Sequence, residues 1–78
     1  MEKELQAYEK YFGFDHPQTG KVLMNLGNAY GSLGDYEMKK KLLERALNIF
    51  EKHFGPEHPS IGATLVNLSN AYGSLGDY

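Results

Sequence analysis

The chain has 78 residues, 41% apolar and 23% charged, which suits one small folded domain and excludes obligate disorder. Its net charge of −2 argues against a nucleic-acid surface, which demands a dense basic face. With no cysteine, disulfides, zinc–thiolate sites and thiol chemistry are excluded, and no apolar run approaches the ~20 residues of a membrane span.

The N-terminal stretch MEKELQAYEK is charged from its second residue and does not resemble a signal peptide, so a cytoplasmic location is expected. From Glu2 to Phe12, Leu5, Tyr8 and Phe12 fall on one helical face. His16-Pro17 marks a second helix start, because proline suits the first turn and pushes the preceding residue out of the helical region. Val22, Leu26, Ala29 and Leu33 carry the helical steps to about Ser32, and Gly34 can take the left-handed cap. Asp35 is the N-cap candidate for a third helix, about Tyr36 to His53. That helix carries two apolar seams, Leu43/Leu47/Phe50/Phe54 and Leu42/Ala46/Ile49, as expected of a helix packed on two sides. Gly55-Pro56 breaks it, and His58-Pro59 starts a fourth helix. Lys39-Lys40-Lys41 is read as a solvated helix face, and the tyrosines and phenylalanines are read as packing.

NLGNAYGSLGDY from Asn25 to Tyr36 returns as NLSNAYGSLGDY from Asn67 to Tyr78, a step of 42. The same shift aligns residues 1–36 with 43–78, and 21 of the 36 pairs are identical, far beyond chance. A fixed period of this size signals a repeat array in which each unit buries its apolar face on the next. Gly27, opposite Ser69 in the other copy, costs about 1 kcal/mol inside a helix. A small residue there makes sense where a neighbouring backbone comes close.

With these residues laid out, Asn25-Leu26-Gly27-Asn28-Ala29-Tyr30, Gly34-Asp35-Tyr36 and Arg45-Ala46-Leu47 resemble a tetratricopeptide repeat. The long second helix and FGPEHPSIGATLVNLSNAY resemble the 42-residue variety found in kinesin light chains. The resemblance implies an all-α superhelix, or solenoid, of stacked helix-turn-helix units with about four helices. It divides the chain into a partial unit 1–13, a full unit of about 14–55 and a partial unit of about 56–78. Lys39 departs from the family, which usually has a small alanine there, so a shifted or slightly opened helix contact is expected.

The resemblance also implies a non-catalytic scaffold that binds proteins or peptides in a concave groove of first helices. Carried onto this chain, the groove is Lys21, Met24, Asn25 and Asn28 from one helix, with Ala63, Val66, Asn67 and Asn70 from the other. Asparagine amides donate to and accept from an extended backbone, which suits sequence-tolerant recognition. In relatives that clamp a terminal carboxylate, asparagines resembling Asn28 and Asn67 act with cations; Met24 and Val66 stand where cations are wanted, so such a clamp is incomplete. Two readings of the asparagines stand: ligand contact, or inter-helix hydrogen bonding inherited with the repeat.

Catalytic readings fail on spacing. GFDHPQTGK separates its glycines by six residues and lacks the hydroxyl after lysine that a phosphate loop needs. Gly31-Ser32-Leu33-Gly34 is not a nucleophile elbow, and Gly27-x-x-x-Gly31 lies outside any apolar span. His16 and His58, one repeat apart, are expected to cap helix starts rather than share a metal. No enzyme activity, cofactor, metal, nucleic acid or membrane partner is expected. No charged residue falls between His58 and Leu75, and the chain reaches Asp77-Tyr78 as a new second helix would begin. The expectation is therefore an excerpt from a longer array, or a chain that completes its core with another copy. The second alternative covers end-to-end stacking or a domain swap hinged at Gly31–Gly34.

Overall fold

The computed structural model describes residues 2–76. It holds four helices: α1 (Glu2–Phe12), α2 (Pro17–Ser32), α3 (Tyr36–Phe54) and α4 (Pro59–Leu75). No strand occurs among the described residues. The start of a further helix at Asp77-Tyr78 lies outside them.

Local chemistry sets each boundary. The His16 ring accepts from the Gln18 amide through Nδ1 at 3.0 Å, and His58 accepts from Ser60 in the same way at 3.1 Å. Each thus caps a helix whose first residue is proline. Each imidazole also lies against the phenylalanine that ends the preceding helix, at 4.6 Å for Phe12–His16 and 4.1 Å for Phe54–His58. Asp35 caps α3 by accepting from the Met38 amide at 3.2 Å. A glycine with positive φ follows each helix, at Gly13, Gly34, Gly55 and Gly76. These glycines fall at half the 42-residue step, so turn chemistry repeats at every helix and not only at every unit.

The helices pack in sequence order: α2 against α1 and α3, and α4 against α3 with a lighter contact to α2. The result is a slab of 35 × 30 × 14 Å. Its core joins Leu23 and Leu26 of α2, Leu42, Ala46, Ile49 and Phe50 of α3, and Leu5 and Ile61 from the flanking helices. Both expected seams of α3 are there, with Leu47 and Phe54 half-buried at the margin. Gly27 meets the expected close approach: a Cβ there would lie 3.3 Å from Leu43 Cγ and 3.4 Å from the Lys39 carbonyl oxygen.

Polar contacts repeat with the same step. Tyr30 donates to Glu2 at 2.9 Å, and Tyr72 donates to Glu44 at 2.7 Å. The Glu2 carboxylate, as acceptor, holds the Tyr30 phenol above its ordinary value. Arg45 of α3 pairs with Glu9 of α1 at 2.8 Å, and Lys52 pairs with Asp15 in the turn before α2. The Lys52 hydrogen bond is the chief cause that keeps the Asp15 carboxyl below its ordinary range.

Three expectations need adjusting. Lys39 is half-buried, with its stem across Gly31, and Lys40 stands 5.2 Å from the Tyr72 ring centroid. Only Lys41 of the basic run is exposed. Tyr11 and Phe14, read as packing, are 83% and 69% exposed. Their counterparts are His53 and Pro56, so the repeat does not keep a tyrosine or phenylalanine at either position. Lys39 fits because Gly31 has no side chain, which is a local answer to the large residue where alanine was expected.

Candidate functional site

Histidine caps and first-turn prolines fix where α2 and α4 begin, and the helical repeat then decides which side chains share a face. Lys21, Asn25 and Asn28 follow at steps of four and three, within about 60° of arc. The 42-residue shift puts Ala63, Asn67 and Asn70 on the same face of α4. Lys21, Asn25, Ala63 and Asn70 are exposed, while Asn28 and Asn67 are half-buried.

Met24 and Val66 lie along one edge of these faces, and their surroundings differ. Met24 is half-buried against the core, and its Sδ lies 3.6 Å from Thr64 Oγ1 of α4, whose proton goes to the Ser60 carbonyl. That contact ties the two first helices together beside the asparagines. Among the described residues no helix covers Val66, which is 62% exposed.

Among the described residues, the side-chain amides of Asn25, Asn28, Asn67 and Asn70 hydrogen-bond to no protein group. Each amide offers two donors and a carbonyl acceptor to solvent or to a ligand. Lys21 is the one charged residue of the eight, so the face attracts by hydrogen bonding more than by field.

Asn25 also reaches a shallow cavity of about 210 Å3, lined by Glu4 of α1 and by Val22, Asn25, Leu26 and Ala29 of α2. Val22, Leu26 and Ala29 follow from helical spacing in the sequence, whereas Glu4 is not marked by it. The sign was present in the repeat, since residue 4 is charged where its counterpart, Ala46, is small and apolar. Ser32, one turn beyond Asn28, is likewise unmarked by the spacing; it is exposed and donates to the Asn28 backbone carbonyl at 3.2 Å.

Among the described residues no cluster of three His, Cys, Asp or Glu could hold a metal ion. No described helix is long and apolar enough to cross a membrane. The histidine rings are engaged at helix starts or, for His53, lie 2.6 Å from the Asp15 carbonyl oxygen.

The chain finds no match among curated proteins. A family model described as tetratricopeptide repeat matches residues 19–60, one full 42-residue step from the first turn of α2 to the first turn of α4. Repeats of this kind are generally non-catalytic scaffold motifs used in protein–protein interaction. With more than half its length matched and four helices packed as two-helix units, the chain belongs to the tetratricopeptide repeat family, in its kinesin-light-chain type.

Proposed function

We propose that the first-helix face binds an extended protein or peptide segment. Lys21, Asn25 and Asn28 of α2 contribute, with Ala63, Asn67 and Asn70 of α4 and with Met24 and Val66 along the edge. The observation that carries this reading is the set of four asparagine amides, on two packed first helices, that no group among the described residues satisfies. An inter-helix structural role for these asparagines would require hydrogen bonds between them and the neighbouring helix.

The chemistry favours main-chain recognition. Amides pair with peptide N–H and C=O groups whatever the side chain, and Ala63 leaves room for a backbone to approach α4. Only Lys21 could pair with a ligand carboxylate, so binding should rest on an internal extended segment rather than a free C-terminus. The reading includes a single domain built of a partial unit 1–13, a full unit of about 14–55 and a partial unit of about 56–78. It also includes a cytoplasmic location and no catalytic step.

A fluorescent library of extended peptides, each with a free or amidated C-terminus, tests the proposal. Ligands should bind equally in both forms, and Asn28→Ala with Asn70→Ala should weaken binding at least several-fold without lowering the melting temperature. Ligands that bind the double variant as well as the unaltered chain would overturn the reading.

A further inference from the structure

Within one copy, α3 seals one side of α2. Leu23 is 0% exposed, and Gly20 leaves its position to the Phe50 ring, whose Cε1 would lie 2.8 Å from an added Cβ. On α4 the counterparts of Gly20 and Leu23 are Gly62 and Leu65. Gly62 has nothing within 4 Å of an added Cβ, and Leu65 is 46% exposed. Among the described residues no ring fills that seat.

We infer that this face of α4 docks a second copy of the chain, head to tail, with the second copy's α1 taking the place that α3 takes on α2. Tyr8 of α1 is the counterpart of Phe50 and brings an aromatic ring to Gly62. Val66 enters the cavity lined by Val22, Leu26 and Ala29 of the second copy. That repeats the contact between Met24 and Thr64, the counterparts of Val66 and Val22.

Charge singles out a second copy as the occupant. Two ion pairs cross from α3 to the preceding unit, Arg45–Glu9 and Lys52–Asp15. Their counterparts are Lys3 and Lys10 on α1, and Glu51 and Glu57 at the end of α3 and the turn after it. All four are exposed and keep the same signs. Head-to-tail docking brings Lys3 of one copy to Glu51 of the other, and Lys10 to Glu57.

Glu4 opposes the docking. It stands where Ala46 is 0% exposed in α3, so it carries a carboxylate to the centre of the contact. Association is therefore weak and concentration-dependent. It also stays open-ended, because head and tail are different surfaces and do not close on each other.

Light scattering and analytical ultracentrifugation over a wide concentration range test this. The mass should rise with concentration without halting at a dimer, and Glu4→Ala should lower the midpoint concentration about tenfold or more. A chain with Lys3→Glu and Lys10→Glu, and another with Glu51→Lys and Glu57→Lys, should each remain monomeric. Mixed one to one they should co-assemble, because the acidic head then meets the basic tail. A mass fixed at the dimer would instead indicate a swapped or closed pair and overturn the proposal. So would a monomeric Glu4→Ala chain, or a mixture that fails to recover assembly.

Discussion

The Lys39 stem crosses Gly31 so closely that a Cβ on Gly31 would lie 2.6 Å from Lys39 Cδ. A similar distance, 2.8 Å, separates a Cβ on Gly20 from the Phe50 ring. The two glycines differ in what obstructs them. Lys39 is half-buried, and its long stem can swing into water, whereas the Phe50 ring is 1% exposed and stacked on Phe54 at 5.7 Å. Glycine in a helix interior costs about 1 kcal/mol relative to alanine. Gly31→Ala should therefore recover most of that and leave the chain equally or more stable. Gly20→Ala should lose about 1–2 kcal/mol, because overpacking a locked ring exceeds the propensity gain. Urea unfolding midpoints of the two variants should move in opposite directions or differ plainly in size.

Thr19 and Thr64 are both fully buried, yet their hydroxyls do different work. Thr19 Oγ1 donates to the Gly13 carbonyl at 2.8 Å, tying the turn after α1 to the start of α2. Thr64 Oγ1 donates to the Ser60 carbonyl one turn back at 2.7 Å, an oxygen placed to accept within the helix in any case. Thr19→Val should cost about 1–2 kcal/mol by leaving the turn carbonyl without its donor. Thr64→Val should stay within about 0.5 kcal/mol, since its counterpart in α2 is already Val22. Thermal melts of the two variants measure the contrast.

The features legible in the sequence share one physical basis: they depend on neighbours along the chain. Pro17 and Pro59, the capping histidines and Asp35 announced the helix starts, and the seams of α3 announced its two packed sides. Gly27 was readable as a close approach because glycine is costly there. Features set by distant residues were not legible in the same way. Lys39 is too large for the small-residue position it takes in the family pattern, and only the fold places Gly31 beneath its stem. Tyr11 and Phe14 have the composition of a core, but no helix covers them. The candidate binding face was readable as a set of residues at helical spacing. That its amides lack protein partners follows only from where the neighbouring helices lie.

Asp15 gives the fold an acid-side sensitivity. Its carboxyl accepts from Lys52 and faces His53, and the Lys52 hydrogen bond is the main cause that holds it below its ordinary value of 3.8. A carboxyl lowered in the folded state contributes stability that is complete above the unfolded value. That contribution is lost as pH falls through the lower, folded value. Asp15→Asn should therefore lower stability at neutral pH by a small amount, as befits a surface pair. The gap between the two chains should close as pH falls below 3.8. Melting temperatures across the acid range, with the difference plotted against pH, decide it; a gap that widens on acidification would contradict the assignment.

Gly62 separates the demands of the single chain from those of assembly. Nothing lies within 4 Å of a Cβ added there, so within one copy Gly62→Ala should simply gain helix propensity, raising stability by up to about 1 kcal/mol. Its counterpart Gly20 shows what an empty position can hold, since the Phe50 ring occupies that space. If Tyr8 of another copy fills the seat on Gly62, the added methyl obstructs it, and the concentration needed for assembly should rise even as the melting temperature does. The two measurements should thus move apart in a single variant. A more stable chain that also assembles more readily would mean that the ring does not lie on Gly62.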